Sequence, residues 1–306
     1  MPVFGTQPLL AECLARILRH TPADVPVLVA DDAGPGDAAA VLAAAEVEQP
    51  RPDMAFYWRQ PGNRGYVENV NDAFAAAVGG DVVVVNSDCL VAPNWFRDLR
   101  AAAYSSASAG TATPLTNHGT IVSVPVRNRA RPSLPGGMNV DEAARRVASA
   151  SPRLRPLLPT AIGHCTYFRR SALDAVGAFD TAFSPGYGEE TDFSRRLMAS
   201  GFTNVLADDV FVYHQGGASF EARPESLAIR VKHEWMLEQR HPGFRREVFM
   251  ARRSRTSPLA RSLAAATGAL TGNRSRLLPP GLRPAETIAL SLAWLIRQAI
   301  GRRSSP

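Results

Sequence analysis

Asp81-Val82-Val83-Val84-Val85-Asn86-Ser87-Asp88 is the stretch that decides the fold. A short unbroken valine run reads as a strand buried on both faces, the kind found in parallel sheets covered by helices. The polar triplet that ends it then stands at the strand's C-terminal edge. Open α/β sheets bind their ligands along that edge.

Working outward, the preceding residues alternate strand and helix signals. Leu9 to His20 carries apolar positions at helical spacing, and Val25 to Ala30 reads as a buried strand ending in Asp31-Asp32-Ala33-Gly34-Pro35-Gly36-Asp37. Ala38 to Glu48 predicts a helix, Met54 to Trp58 a strand, and Tyr66 to Val78 a helix behind the loop Pro61-Gly62-Asn63-Arg64-Gly65. This alternation predicts an α/β fold with a mostly parallel central sheet flanked by helices. Residues 105–160 are rich in Ser, Pro, Gly and Arg and show little periodicity beyond a strand candidate at Thr120 to Val126. They are expected to form a long, partly mobile excursion over the site. Order returns at Ala161 to Arg170, a strand running into a helix at Ser171. A helix from Thr191 to about Ser200 follows, and then the strand Val210 to Tyr213 before His214.

The chain of 306 residues is 45% hydrophobic, enough for one large domain and an appendage. Charge is unevenly spread. Residues 223–306 hold sixteen Lys or Arg against five acids, net +11, whereas residues 1–222 hold eighteen against twenty-three, net −5. We therefore divide the chain into a domain over 1–222 and a basic, mainly helical extension over 223–306. Its last candidate helix, Ala285 to Ile300, puts Ile288, Leu292, Leu295 and Ala299 on one face and ends in Gly301-Arg302-Arg303. Such a helix suits either packing on the domain or peripheral contact with anionic lipid. Interleaved aromatics and RNA-motif signatures are absent, so no nucleic acid is expected. Cys13, Cys89 and Cys165 are far apart and give no disulfide framework or zinc spacing. With no leader-like start and no apolar stretch of spanning length, the expected location is cytoplasmic, with peripheral contact at the inner face of the membrane.

Five groups of residues carry candidate chemistry. Asp88 at the end of the valine strand suits a divalent cation, as does His214, although an Asx turn and a structural histidine explain the same residues. Glu189, Glu190 and Asp192 crowd one helix start, where crowding raises carboxyl pKa values towards the range of a useful base; capping needs fewer acids. Asp31 and Asp32 suit a nucleobase or ribose, or else simple turn capping. Asn63, Arg64 and Gly65, with Asn69 and Asn71, offer N–H and cationic groups to phosphate oxygens, or an ordinary loop and cap. There is no GxGxxG, no GxxxxGK[ST] and no GxSxG, which argues against a dinucleotide oxidoreductase, a P-loop NTPase and an α/β-hydrolase.

Together the stretches VLVADDAGPGD (27–37), NRGYVENVNDA (63–73), VVVVNSDCLVAPNW (82–95) and several within 163–220 (GHCTYFRRSALDAVGAFD, GYGEETDFSRRL, DDVFVYHQGGASF) resemble glycosyltransferase family 2. These are inverting, nucleotide-sugar-dependent enzymes of GT-A fold, and the likeness is greatest to bacterial members that build surface polysaccharide. The resemblance implies a donor held by Asp31, Asp32, Asn63, Arg64, Gly65, Asn71 and Asn86. It implies Mn²⁺ or Mg²⁺ on Asp88 and His214, and a base at Glu190 followed by Asp192. The sugar moved would be a hexose or deoxyhexose, and the acceptor a hydroxyl of a glycan or lipid-linked molecule. Three departures stand out. Asn86 replaces an acid of the family's DXD element, Glu190 replaces an Asp, and Met1-Pro2-Val3-Phe4-Gly5 leaves most of the first strand missing. The last departure motivates an alternative: a catalytically inactive sugar-nucleotide-binding partner in a polysaccharide assembly complex.

Overall fold

The computed structural model describes residues 1–272 except 7, 130 and 217–223. The candidate helix at 285–300 and its membrane contact lie outside the described residues. In chain order the first elements are β1 (Pro2–Val3), α1 (Leu10–His20), β2 (Val27–Asp31), α2 (Ala38–Glu48), β3 (Ala55–Arg59), α3 (Tyr66–Ala76), β4 (Val82–Val85), β5 (Cys89–Leu90) and α4 (Trp95–Ala103). α1, β2, α2, β3, α3 and β4 agree with the expected alternation to within a residue or two, and β5 and α4 add to it. β1, β2 and β3 form a parallel sheet in that order, with Val3 opposite Asp31 and Asp31 opposite Arg59. β1 pairs with β2 through Pro2 and Val3, and an apolar slot of 780 Å³ beside it is lined by Leu28, Val83, Val85 and Tyr167.

The next elements are β6 (Ala109–Leu115), α5 (Val140–Ala150), β7 (Leu157–Leu158), β8 (Cys165–Phe168), α6 (Arg170–Val176), α7 (Glu189–Ala199), β9 (Thr203–Phe211) and β10 (Tyr213–His214). A five-stranded sheet takes the order β4-β8-β6-β9-β7. In it β6 and β9 are parallel and the other pairings antiparallel.

The expected excursion over 105–160 is corrected. It supplies β6, whose seven residues are all buried at the middle of this sheet. Ala-Gly-Thr-Ala-Thr-Pro-Leu lacks the bulky residues that advertise a strand, and packing explains why. A Cβ at Gly110 would stand 2.9 Å from a Leu197 methyl, so the sheet needs small residues where α7 lies against it. The same region contains α5, whose Asn139 side chain accepts the Glu142 N–H. That Asn-x-x-Glu start is an N-cap signal present in the sequence. The strand candidate at 120–126 is instead a 3₁₀ turn over Thr120–Val122 with a single bridge from Ser123 to Thr116.

Three helices end the described chain: α8 (Pro224–Arg240), α9 (Phe244–Arg253) and α10 (Pro258–Thr271). Leu259, Leu263 and Leu270 of α10 share one apolar cluster with Val147, Leu206 and Phe211. Part of the basic extension is thus built into the core. Phe193 and Leu197, four apart on α7, are fully buried, each worth roughly 1.5–3 kcal/mol relative to exposure. That anchoring fixes the helix whose first turn carries the acids. Among the described residues no helix is long and apolar enough to cross a membrane.

Candidate active site

β4 delivers Asn86-Ser87-Asp88 to the sheet edge, and β5 immediately pairs antiparallel with β10, placing His214 opposite Cys89. This short ribbon brings together two side chains 126 positions apart. His214 Nε2 lies 3.3 Å from Asp88 Oδ1, and the Gly216 N–H donates to Asp88 Oδ2 at 3.0 Å. On its other side, His214 Nδ1 stands 2.8 Å from the His118 carbonyl. A carbonyl only accepts, so Nδ1 carries the hydrogen, and in the neutral ring Nε2 presents a lone pair towards the carboxylate. Two acceptors that face each other call for a cation or a proton between them. Burial works to raise the Asp88 carboxyl, but with the proton in place on His214 Nε2 the charged contact and the Gly216 N–H outweigh it and hold it below the usual carboxylate range.

The third group within 4.8 Å is the Cys89 thiol. Burial, then the Asp88 charge, pushes it well above its ordinary value, and it donates to the His164 carbonyl. As a neutral thiol it is a poor partner for a hard cation; carboxylate and imidazole fit better.

The acidic cluster separates into two environments. Gly188, at φ +105°, turns the chain into α7. Glu189 is buried and Glu190 half-buried, and each carboxyl has one buried oxygen with no partner among the described residues. Burial and then the neighbouring Glu190 drive Glu189 well above the usual range, so it holds its proton. Glu190 is raised too, by burial, and held back by its own backbone N–H, the Glu189 side chain and the N–H groups of Gly163 and Gly188. Asp192 differs: its carboxylate is engaged by Arg196 at 2.8 Å, His241 at 2.9 Å and Arg240 at 3.5 Å. These contacts tie the first turn of α7 to the end of α8.

The nucleotide-side residues are brought together, although much of their hydrogen bonding is internal. Asp31 accepts from Tyr57 Oη at 2.6 Å and pairs with Arg59. Asp32 accepts the N–H groups of Arg64 at 2.7 Å and Gly65 at 2.8 Å, and burial still raises its carboxyl. Asn63 accepts the same Gly65 N–H, while the Arg64 guanidinium pairs with Glu68 and Asp72. The expectation of free N–H groups for phosphate at this helix start is therefore corrected: this loop arranges Asp32. Asn71 is corrected as well. Its amide donates to the Phe179 carbonyl and accepts the Phe179 N–H, both at 2.9 Å, which pins α3 to the loop before α7. Asn86 holds a buried Oδ1 that has no partner among the described residues.

A family model described as "Glycosyltransferase like family 2" matches residues 1–235. The chain belongs to this family. Among curated proteins, none matches the sequence. Solved structures similar in fold include the mannosyltransferase PcManGT from Pyrobaculum calidifontis in complex with GDP-Man and Mn²⁺, at 20% identity and a TM-score of 0.55. That likeness covers 96% of this chain and 78% of the other. GalNAc-T7 with UDP, GalNAc and Mn²⁺ is similar at 16% identity and a TM-score of 0.55, covering 76% of this chain and 46% of the other.

Three residues of this family 2 member escaped sequence reasoning. His118 orients His214 through its carbonyl, and its ring lies 5.2 Å from the His214 ring. Gly216, at φ +71°, leaves the His118 ring its space, since a Cβ there would stand 1.8 Å from His118 Nδ1. His164 stacks on His214 with centroids 5.7 Å apart and planes at 26°. Burial, and then the neighbouring His214 and His118, pushes the His164 imidazole well below its ordinary value, and neither ring nitrogen has a partner among the described residues. The only available signals were the histidine in Gly163-His164-Cys165 and the glycine pair after His214.

Proposed function

We propose that the protein is a metal-dependent inverting glycosyltransferase that moves a hexosyl or deoxyhexosyl group from a nucleoside-diphosphate sugar to a hydroxyl of a glycan or lipid-linked acceptor. The observation that carries this reading is the facing pair of acceptors on Asp88 and His214, set at the same sheet edge as Glu190. Asp88 and His214 would hold Mn²⁺ or Mg²⁺; when bound, the ion neutralises charge on the departing diphosphate. The Gly216 N–H and the cradle it leaves for His118 fit such an ion, because they orient the carboxylate and the imidazole without adding charge.

The remaining chemistry belongs to the chain. Glu190 takes the proton from the acceptor hydroxyl, whose oxygen forms a new bond to the anomeric carbon. The bond from that carbon to the diphosphate breaks on the opposite face, and its electron pair leaves with the nucleoside diphosphate. Glu189, protonated, donates to Glu190 and holds its carboxylate in place. Asp31, Asp32, Asn63, Arg64 and Gly65 form the nucleotide wall, and Asn86 faces the donor. Membership of the family and the retention of all these groups favour an enzyme over an inactive binding partner.

A role in surface-polysaccharide synthesis at the inner face of the membrane is consistent with the basic extension over 223–306. Transfer or donor hydrolysis assayed over nucleotide-sugars with Mn²⁺ tests the function. Full turnover by Asp88→Ala or Glu190→Gln would defeat it.

A further inference from the structure

We infer that His164, with Asn86, forms a subsite that hydrogen-bonds a hydroxyl of the sugar being transferred. The inference rests on the glycosyltransferase reading and names a contact on the donor. The Asn86 N–H donates to the His164 carbonyl at 3.0 Å, one step beyond the Val85 and Cys165 pair, so residues 86 and 164 are cross-strand partners. Directly opposite residues of antiparallel strands present their side chains on one face, with Cβ atoms about 4.5–5.5 Å apart. Both side chains hold buried polar atoms with no partner among the described residues: Asn86 Oδ1, and Nδ1 and Nε2 of His164, a residue only 2% exposed. Buried polar groups are ordinarily bonded, so two adjacent orphans at a sheet edge point to a ligand.

Position says which part of the ligand. The His164 ring lies on His214, which faces Asp88, while the preceding Gly163 sits so close to Glu190 that a Cβ there would be 3.1 Å from Oε1. His164 therefore stands between the base and the cation pair. In an inverting transfer the sugar ring must lie between them. Donor and acceptor matching agrees. A neutral imidazole offers one N–H and one lone pair, and Asn86 Oδ1 only accepts. Diphosphate oxygens only accept, so they satisfy neither Asn86 Oδ1 nor the lone pair on His164. A hydroxyl, which gives and receives, can serve both.

Calorimetry with Mn²⁺ on the intact chain tests this, comparing GDP with GDP-mannose and UDP with UDP-N-acetylgalactosamine, and extending to the 6-deoxyhexose conjugates of each nucleotide. His164→Phe keeps a flat ring against His214 but has no nitrogens. It should bind the bare diphosphates as wild type does and bind the preferred sugar conjugate about tenfold more weakly, the effect of one lost substrate hydrogen bond. His164→Gln, with a donor and an acceptor, should recover part of that loss, which a packing role would not produce. Equal weakening of the bare diphosphate and its conjugate, unchanged conjugate binding, or a wild type that prefers no conjugate over its diphosphate overturns the subsite. A wild type that binds no nucleoside diphosphate with Mn²⁺ overturns the transferase reading itself.

Discussion

His214 Nε2 and Asp88 Oδ1 face each other at 3.3 Å while the opposite nitrogen of the same ring is committed to the His118 carbonyl. The pair is thereby arranged as two electron-pair donors around one point. Mn²⁺ should raise the melting temperature of the wild-type protein, by an amount corresponding to about 2.7 kcal/mol at a hundred times the dissociation constant. Asp88→Ala should abolish that shift in a thermal melt with and without the ion. An undiminished shift would place the cation elsewhere.

Glu190→Gln keeps the size of the side chain and removes its basicity. Turnover should fall roughly a hundred- to ten-thousand-fold. Donor affinity measured by calorimetry should stay near wild type. A loss of binding with little loss of turnover would assign Glu190 to the donor instead.

The pH profile follows from the raised carboxyl of Glu190. The base works ionised, so kcat/KM should fall as pH drops through a value above the ordinary 4.5. Glu189→Ala removes the donor that favours the ionised form and should move this limb to higher pH. For stability the sign is opposite to that of a paired carboxylate. Glu189 and Glu190 bind protons more tightly folded than unfolded, so the pair contributes stability below the unfolded pKa and loses it as pH rises through the folded values. An acid limb at the ordinary carboxylate position would contradict the assignment.

Gly216→Ala meets two obstacles: a left-handed backbone and the His118 ring. The backbone cost alone is about 1–2 kcal/mol. Chemical denaturation should show that loss, and Mn²⁺ titration should show weaker binding, because the Gly216 N–H that orients Asp88 moves with the turn. A fully stable variant with wild-type Mn²⁺ affinity would remove Gly216 from the site.

Asp192→Asn should cost stability, about 1.5–3 kcal/mol for weakened bonds to the Arg196 and Arg240 guanidiniums, with the His241 contact weakened beside them. Transfer at a temperature where the variant is folded should persist. Loss of turnover matching Glu190→Gln, without destabilisation, would instead make Asp192 the base.

The parts legible in the sequence share a physical property. β2, β4 and α3 are announced by runs of valine or by turn residues at their ends, because each buries bulky side chains at a regular period. β6 was illegible for the converse reason, since small residues there make room for Leu197. Asp88, Glu190 and His214 could be picked out because each follows a strand or opens a helix. The roles of Asn71 and Asp192 could not be, because their partners Phe179, Arg240 and His241 are remote in sequence.

The amino-acid sequence by itself determined the α/β class, the edge on which the polar triplet stands and the family to which the chain belongs. These depend on local periodicity and on motifs read in order. Only the tertiary structure decided which acid is spent on α8 and which stays at the cleft, and that Asn63, Arg64 and Gly65 close around Asp32. It also decided that His118 and His164 flank His214. Hydrogen bonds are satisfied by whatever lies within about 3 Å in space, and sequence separation sets no limit on that.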